Sequence, residues 1–191
     1  MKLLIVRHGE TVENLQRICQ GQSHGTLSEK GIKQAIRIGN ALQKRDIDIC
    51  YTSDLKRATH TTSHIMKYHP NTPVKYEKRL RERYFGSFQG EQFPLSLAEF
   101  TPPRETETPE AIAIRLTDFL AEIEKKHQNK TVLLVSHGFT IRVLMSLLKQ
   151  LPISNLETLD EIKNTSLSIA QMKENRYEII LFNDTTHLEG N

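Results

Sequence analysis

Tryptophan is absent, aromatic residues make up only 6%, and cysteine occurs twice, at Cys19 and Cys50. Two cysteines cannot build a disulfide framework, so the core must come from aliphatic packing and a reducing, cytoplasmic location is expected. Nine glycines and seven prolines leave no room for a Gly/Pro-rich linker, and no repeat or low-complexity tract interrupts the chain. Charge of one sign is also scarce: 26 Lys+Arg stand against 23 Asp+Glu, a net of +3 with histidine neutral. With no Lys/Arg block carrying interleaved aromatics, no nucleic-acid partner is expected. No apolar run approaches the roughly 18 residues of a membrane span, and Met1–Val6 is too short for a signal-peptide core. What is present is 37% hydrophobic residues recurring along all 191 positions. One domain over residues 1–191, with one sizeable core, is expected.

Short apolar runs alternate with helical patterns. Leu3–Val6 and Thr131–Val135 have the continuous apolar character of strands buried on both faces. Ile47–Tyr51, Val74–Tyr76, Ser166–Ala170 and Tyr177–Phe182 are further strand candidates. Helices are expected from Ser28, from about Asp54, after the Thr108-Pro109-Glu110 start signal, and over Phe139–Lys149. Residues 8–27 show no period and read as loop, and residues 79–105 as a long irregular stretch of the kind that covers a site. The alternation predicts an α/β fold with a mostly parallel mixed sheet.

Two of the apolar strands end alike. Leu3–Val6 runs into Arg7-His8-Gly9, and Thr131–Val135 into Ser136-His137-Gly138. Ligands of open α/β sheets sit at the carboxyl ends of strands, so this pattern puts two imidazoles in one cleft. The third segment, Tyr51-Thr52-Ser53, leads into a helix that carries Arg57 in its first turns, and a helix start favours an anion. Arg7, His8, Arg57 and His137 contain no acidic metal-binding cluster and suit one phosphoryl group.

The run Leu4-Ile5-Val6-Arg7-His8-Gly9-Glu10-Thr11 resembles the signature of the histidine phosphatase superfamily, which includes the cofactor-dependent phosphoglycerate mutases. Asn14, Leu27–Gly31, Gln34-Ala35, Ser53–Ala58, Leu80-Arg81-Glu82, Phe85-Gly86, Gln89-Gly90, Ser136–Gly138 and Asn183–Leu188 fit the same pattern, so the likeness spans nearly the whole chain. The tail is similar to that of the small broad-specificity phosphatases. The resemblance implies a phosphoglycerate mutase-like three-layer α/β/α sandwich and a metal-independent phosphomonoesterase without a cofactor. It implies His8 as the phosphorylated nucleophile, held through its other ring nitrogen, and Glu82 as proton donor and acceptor. Arg7, Arg57 and His137 would hold the phosphoryl oxygens. Asn14, Gly138 and Ser23 would be further substrate contacts. A small phosphorylated metabolite is the expected partner, and a homodimer is left open.

Taken singly, several of these residues have plainer readings. His8 could be a strand-end histidine satisfied by backbone, Arg57 a solvated helix residue and Glu82 a loop carboxylate; their joint pattern favours catalysis. His60, His64, His69, His127 and His187 read as surface or capping residues, and His24 as a capping or pocket-rim residue. His60 and His64 have i, i+4 spacing but no third ligand nearby in sequence. A mutase-type phosphotransferase is the first alternative, and a phosphate-binding module without turnover the second. Between Gly90 and Thr108 the only cation is Arg104, against Glu91, Glu99, Glu105 and Glu107. Phe139 stands where glycolytic mutases usually have Asn, and Glu105–Thr108 replaces a Gly-Gly-Glu-Ser run of many small relatives. The short chain and its single cation in this stretch favour the phosphatase branch, while the departures leave the phosphoryl pocket intact and the identity of the substrate open.

Overall fold

The computed structural model describes residues 1–94 and 100–189; Glu99 of the acidic tally lies outside them. Its centre is a six-stranded sheet in the order β3-β2-β4-β1-β5-β6. The strands are β1 (Lys2–Arg7), β2 (Ile49–Thr52), β3 (Val74–Tyr76), β4 (Thr131–Ser136), β5 (Leu167–Lys173) and β6 (Arg176–Asp184). β1 pairs in parallel with β4, β4 with β2 and β2 with β3, while β5 and β6 are antiparallel. The sheet is therefore mixed and mostly parallel, as the strand–helix alternation predicts.

The helices are α1 (Val12–Leu15), α2 (Glu29–Leu42), α3 (Lys56–Met66), α4 (Pro109–Lys126) and α5 (Gly138–Leu148). Alternate side chains of each central strand go to opposite faces, so the sheet divides two cores. Leu3, Ile5, Val132 and Leu134 pack with Ile112, Leu116 and Phe119 of α4 and Ile141 and Leu144 of α5. Leu4, Val6, Leu133 and Val135 pack with Ile38 and Leu42 of α2 and Ala58 and Ile65 of α3. Both faces of β1 and β4 are covered, which is why these strands read as unbroken apolar runs. The result is the expected three-layer sandwich.

Several boundaries differ from the sequence pattern. Residues 8–27 are not all loop. Thr11 caps α1 by accepting the Asn14 N–H, while Asn14 Oδ1 accepts the Thr11 N–H, a reciprocal capping box. α3 starts at Lys56 rather than Asp54 because the Asp54 carboxylate is bound by Arg81 at 2.7 and 2.5 Å, and Leu55 becomes the N-cap residue. β2 starts at Ile49; ahead of it, the Asp48 carboxylate accepts the Thr131 N–H at 2.8 Å. Among the described residues no helix is long and apolar enough to cross a membrane.

Candidate active site

β1 and β4 are direct neighbours, with Arg7 opposite Ser136, and the pairing continues as the His8 N–H donates to the Ser136 carbonyl at 3.0 Å. This register brings His8 and His137 to one end of the sheet with ring centroids 5.1 Å apart. The turn after His8 depends on close backbone approach: a Cβ on Gly9 would lie 2.5 Å from the Gly31 carbonyl oxygen. α2 thus packs against the histidine turn through two glycines.

The His8 ring is buried and its Nδ1 lies 2.7 Å from the Gly9 carbonyl oxygen. A carbonyl only accepts, so Nδ1 carries the hydrogen and Nε2 presents a lone pair. Nε2 faces Arg57, whose Nε donates to it at 3.3 Å. Arg57 is 1% exposed and is fixed by donating to the Ser23 and Gly21 carbonyls, each at 2.8 Å. Burial lowers its pKa to about 10, which keeps it cationic at neutral pH. Arg7 donates to the Ile162 carbonyl and lies 3.9 Å from Glu161, while its buried Nε has no partner among the described residues.

His137 is wholly buried, with Nε2 2.8 Å from Ser53 Oγ. Ser53 Oγ also accepts the Leu55 N–H at 3.3 Å, which leaves it one lone pair and its proton, so it can either donate to His137 Nε2 or accept from it. Nδ1 is buried without a partner among the described residues. Burial, then the Arg57 and Arg7 guanidinium groups, hold His8 well below the ordinary histidine value; burial, Arg57, His8 and Arg7 do the same to His137.

Glu82 sits on the first turn of α5. Its Oε2 accepts the Phe139 N–H at 3.2 Å, and its Oε1 accepts the Thr140 and Arg83 N–H groups at 3.1 and 2.9 Å. Thr140 Oγ1 is also 3.1 Å from Oε1. A carboxylate at a helix N-terminus is held by unpaired N–H groups and the helix dipole. From behind, Arg115 of α4 donates to the Arg79 carbonyl, and its Nη2 lies 3.5 Å from the Glu82 carbonyl oxygen.

Arg7, His8, Arg57 and Glu82 line one cavity of about 490 Å³, together with Asn14, Arg83, Arg142 and a set of phenylalanines. Asn14 spends its Oδ1 on the capping box, so Nδ2 is the group it can offer a ligand. The Gly138 Cα faces Arg7: a Cβ there would meet the guanidinium carbon at 3.4 Å. Ser23 is exposed and does not line the cavity; its hydroxyl donates to the Gln20 carbonyl at 2.5 Å. His24 accepts the Lys56 N–H at the start of α3 at 3.3 Å, so the helix start expected to favour an anion carries an imidazole. His60 and His64 lie 5.2 Å apart on α3, away from the cavity. Ser53, Thr140, Arg115, Phe93 and Phe100 were not singled out by sequence reasoning. Ser53 stood only as part of the Ser53–Ala58 pattern.

A sheet end that gathers two buried imidazoles, the partly buried Arg7 and, from α3, the buried Arg57 defines a class of protein that handles a tetrahedral anion. The sequence pattern of the histidine phosphatase superfamily (branch 1) matches residues 3–185, and the chain belongs to that superfamily. It is 32% identical to a metal-independent phosphoserine phosphatase of Arabidopsis thaliana, over 99% of this chain and 84% of the relative. It is 33% identical to a broad-specificity phosphatase of Saccharomyces cerevisiae, over 78% of this chain and 70% of the relative. The structure of Bacillus stearothermophilus YhfR superposes with a TM-score of 0.91 at 26% identity, covering 98% of this chain and 99% of that one.

The two neutral buried imidazoles predict a pH effect on stability. Unfolded histidine protonates near roughly pH 6.5, whereas native His8 and His137 protonate only at lower pH. Between roughly pH 6.5 and those lower native values the unfolded state binds more protons, so stability falls as pH falls, by up to about 1.4 kcal/mol per pH unit for each ring. His64, His127 and His187, also lowered chiefly by burial, act in the same direction. Urea midpoints measured from about pH 7 to pH 5 should therefore fall more steeply for the native protein than for His137→Asn. Equal slopes would show that His137 does not stay neutral in the fold.

Proposed function

We infer that the protein is a metal-independent phosphomonoester hydrolase that works through a phosphohistidine on His8. The observation that carries this reading is the His8 ring itself. Its Nδ1–H is locked on the Gly9 carbonyl and its Nε2 lone pair faces Arg57 at the wall of the cavity. A neutral, oriented imidazole is a nucleophile at neutral pH without a separate base.

In the first step Nε2 attacks phosphorus in line, the P–O bond to the leaving group breaks, and Glu82 gives its proton to the departing oxygen. In the second, Glu82 takes a proton from water, the resulting hydroxide attacks phosphorus, and the P–N bond breaks to return His8 and inorganic phosphate. Arg57, Arg7 and the Nδ1–H of His137 are the donors for the equatorial oxygens, where negative charge collects. Arg7 Nε and His137 Nδ1 are buried nitrogens without a partner among the described residues, which suits them to that task. Asn14 adds a donor through Nδ2 and Gly138 lets Arg7 approach. Ser23 acts through its carbonyl, which positions Arg57.

The substrate class is a small phosphorylated metabolite, and residues 1–191 act as one catalytic domain. Two buried free cysteines suit a cytoplasmic setting. The test is phosphate release across a panel of metabolite monoesters, with and without EDTA. Release unaffected by EDTA is expected. Conversion of 3- to 2-phosphoglycerate stimulated by a bisphosphate, without net release, would place the chain with the mutases. Phosphate binding without turnover of any panel member would make it a binding module.

A further inference from the structure

The phosphoryl end of the cavity is cationic, but its outer part is aromatic. Phe85, Phe93 and Phe100 all line it. Their centroids are 5.9 Å (Phe85–Phe93), 5.2 Å (Phe93–Phe100) and 6.4 Å (Phe85–Phe100) apart, so they form one continuous wall. Phe88 supports it from behind, 4.6 Å from Phe100 and 5.3 Å from Phe93. Phe139, the residue after His137-Gly138, lines the same cavity. Between Phe139 and Phe85 lies the Arg83 guanidinium, 4.8 and 5.1 Å from the two rings, with its Nε donating to the Glu107 carbonyl at 2.7 Å. Arg83 is thus a fixed flat plate in the wall.

The protein core is otherwise almost wholly aliphatic, with Phe119 and Tyr51 the only large aromatic side chains buried in it among the described residues. The cavity rings are instead only half-buried, and they line the same cavity as His8. Flat groups gain from ring contact beyond the area they cover.

We propose that the outer cavity selects phosphomonoesters whose leaving group is aromatic, over those whose leaving group is small or carries a second anionic centre. The proposal rests on the phosphatase reading and adds the substrate class to it. The ring of such an ester lies along Phe85, Phe93 and Phe100, with its phosphoryl group toward His8. Nothing in the chemistry changes; the wall contributes affinity for the group that departs.

Leaving-group reactivity confounds rate comparisons, so the test is binding of stable phosphonates. Inhibition constants are measured for methylphosphonate, benzylphosphonate and 2-carboxyethylphosphonate, with inorganic phosphate as the internal reference for each protein. Benzylphosphonate is expected to bind about tenfold or more tightly than methylphosphonate, the gain of one to two aromatic contacts. Phe93→Ala should erase most of that ratio, and Phe93→Leu, which preserves apolar bulk, should lose it in part. Equal constants for the benzyl and methyl compounds would overturn the proposal while phosphate inhibition kept the phosphatase reading intact. Tightest binding by the carboxyethyl compound would also overturn it and give the outer cavity to the cations Arg83 and Arg142. Absence of competition by inorganic phosphate itself would remove the phosphoryl site, and the proposal with it.

Discussion

Replacing His8 by alanine is expected to lower kcat by roughly 10⁴-fold or more, because it removes the group proposed to receive the phosphoryl unit. Two neighbours could in principle substitute, and neither is equipped to do so. Cys19 lines the cavity, but burial and the Glu82 charge push its thiol up to about 12, so it is not a thiolate at neutral pH. His137 is wholly buried, has its Nε2 engaged with Ser53 Oγ, and, unlike His8, is not among the residues that line the cavity. Binding should survive, since Arg57 keeps its anchors on the Gly21 and Ser23 carbonyls without His8. The expected pattern is loss of turnover with phosphate or vanadate still bound. Rapid quench with labelled substrate checks the intermediate directly. The native protein should form an acid-labile, base-stable adduct and His8→Ala none. Residual turnover within tenfold of the native rate would mean that another atom accepts the phosphoryl group.

The reading of the fold from pattern alone succeeded where burial on both faces left an unbroken apolar run, as in β1 and β4, and where a cap was written out, as at Ser28 and Thr108. It also placed Arg7, His8, Arg57 and Glu82 at one cavity, because two strand ends, a helix start and a known pattern each fixed one part of it. What escaped it was contact across long sequence separation. Thr11 and Asn14 carry a capping-box spacing with Asn in place of the usual Glu or Gln, so α1 passed as loop. Ser53 and His137 are 84 residues apart, and only the parallel pairing of β2 with β4 brings them within hydrogen-bond distance. Phe85, Phe93 and Phe100 have no common period, since they lie on an irregular segment, and their convergence is a property of the folded chain. The position of Glu82 on α5 is of the same kind: a loop carboxylate acquires its orientation from N–H groups some 57 residues away.

That orientation makes Glu82→Gln the most discriminating substitution in the site. Glutamine keeps the shape, and its carbonyl can still accept the Thr140 and Arg83 N–H groups. Its amide must then face the Phe139 N–H, a donor against a donor, so some loosening of the side chain is expected. The chemical consequence is larger. An alkyl leaving group departs as a strongly basic alkoxide unless it is protonated, and general acid catalysis of this kind is worth about 10²–10⁴-fold. p-Nitrophenolate needs little such help. Glu82 is also proposed to activate water in the second step, which is common to all substrates, so kcat mixes the two roles. The ratio kcat/KM reports only events up to loss of the leaving group and separates them. The expectation is a fall in kcat/KM of about 10²-fold or more for alkyl phosphates and less than about tenfold for p-nitrophenyl phosphate. With the aryl ester, slowed hydrolysis of the phosphoenzyme should appear as a burst of nitrophenol. Equal falls for both esters, with no burst, would take the proton-transfer role away from Glu82 and leave it as a cap on α5 that fixes the floor of the cavity.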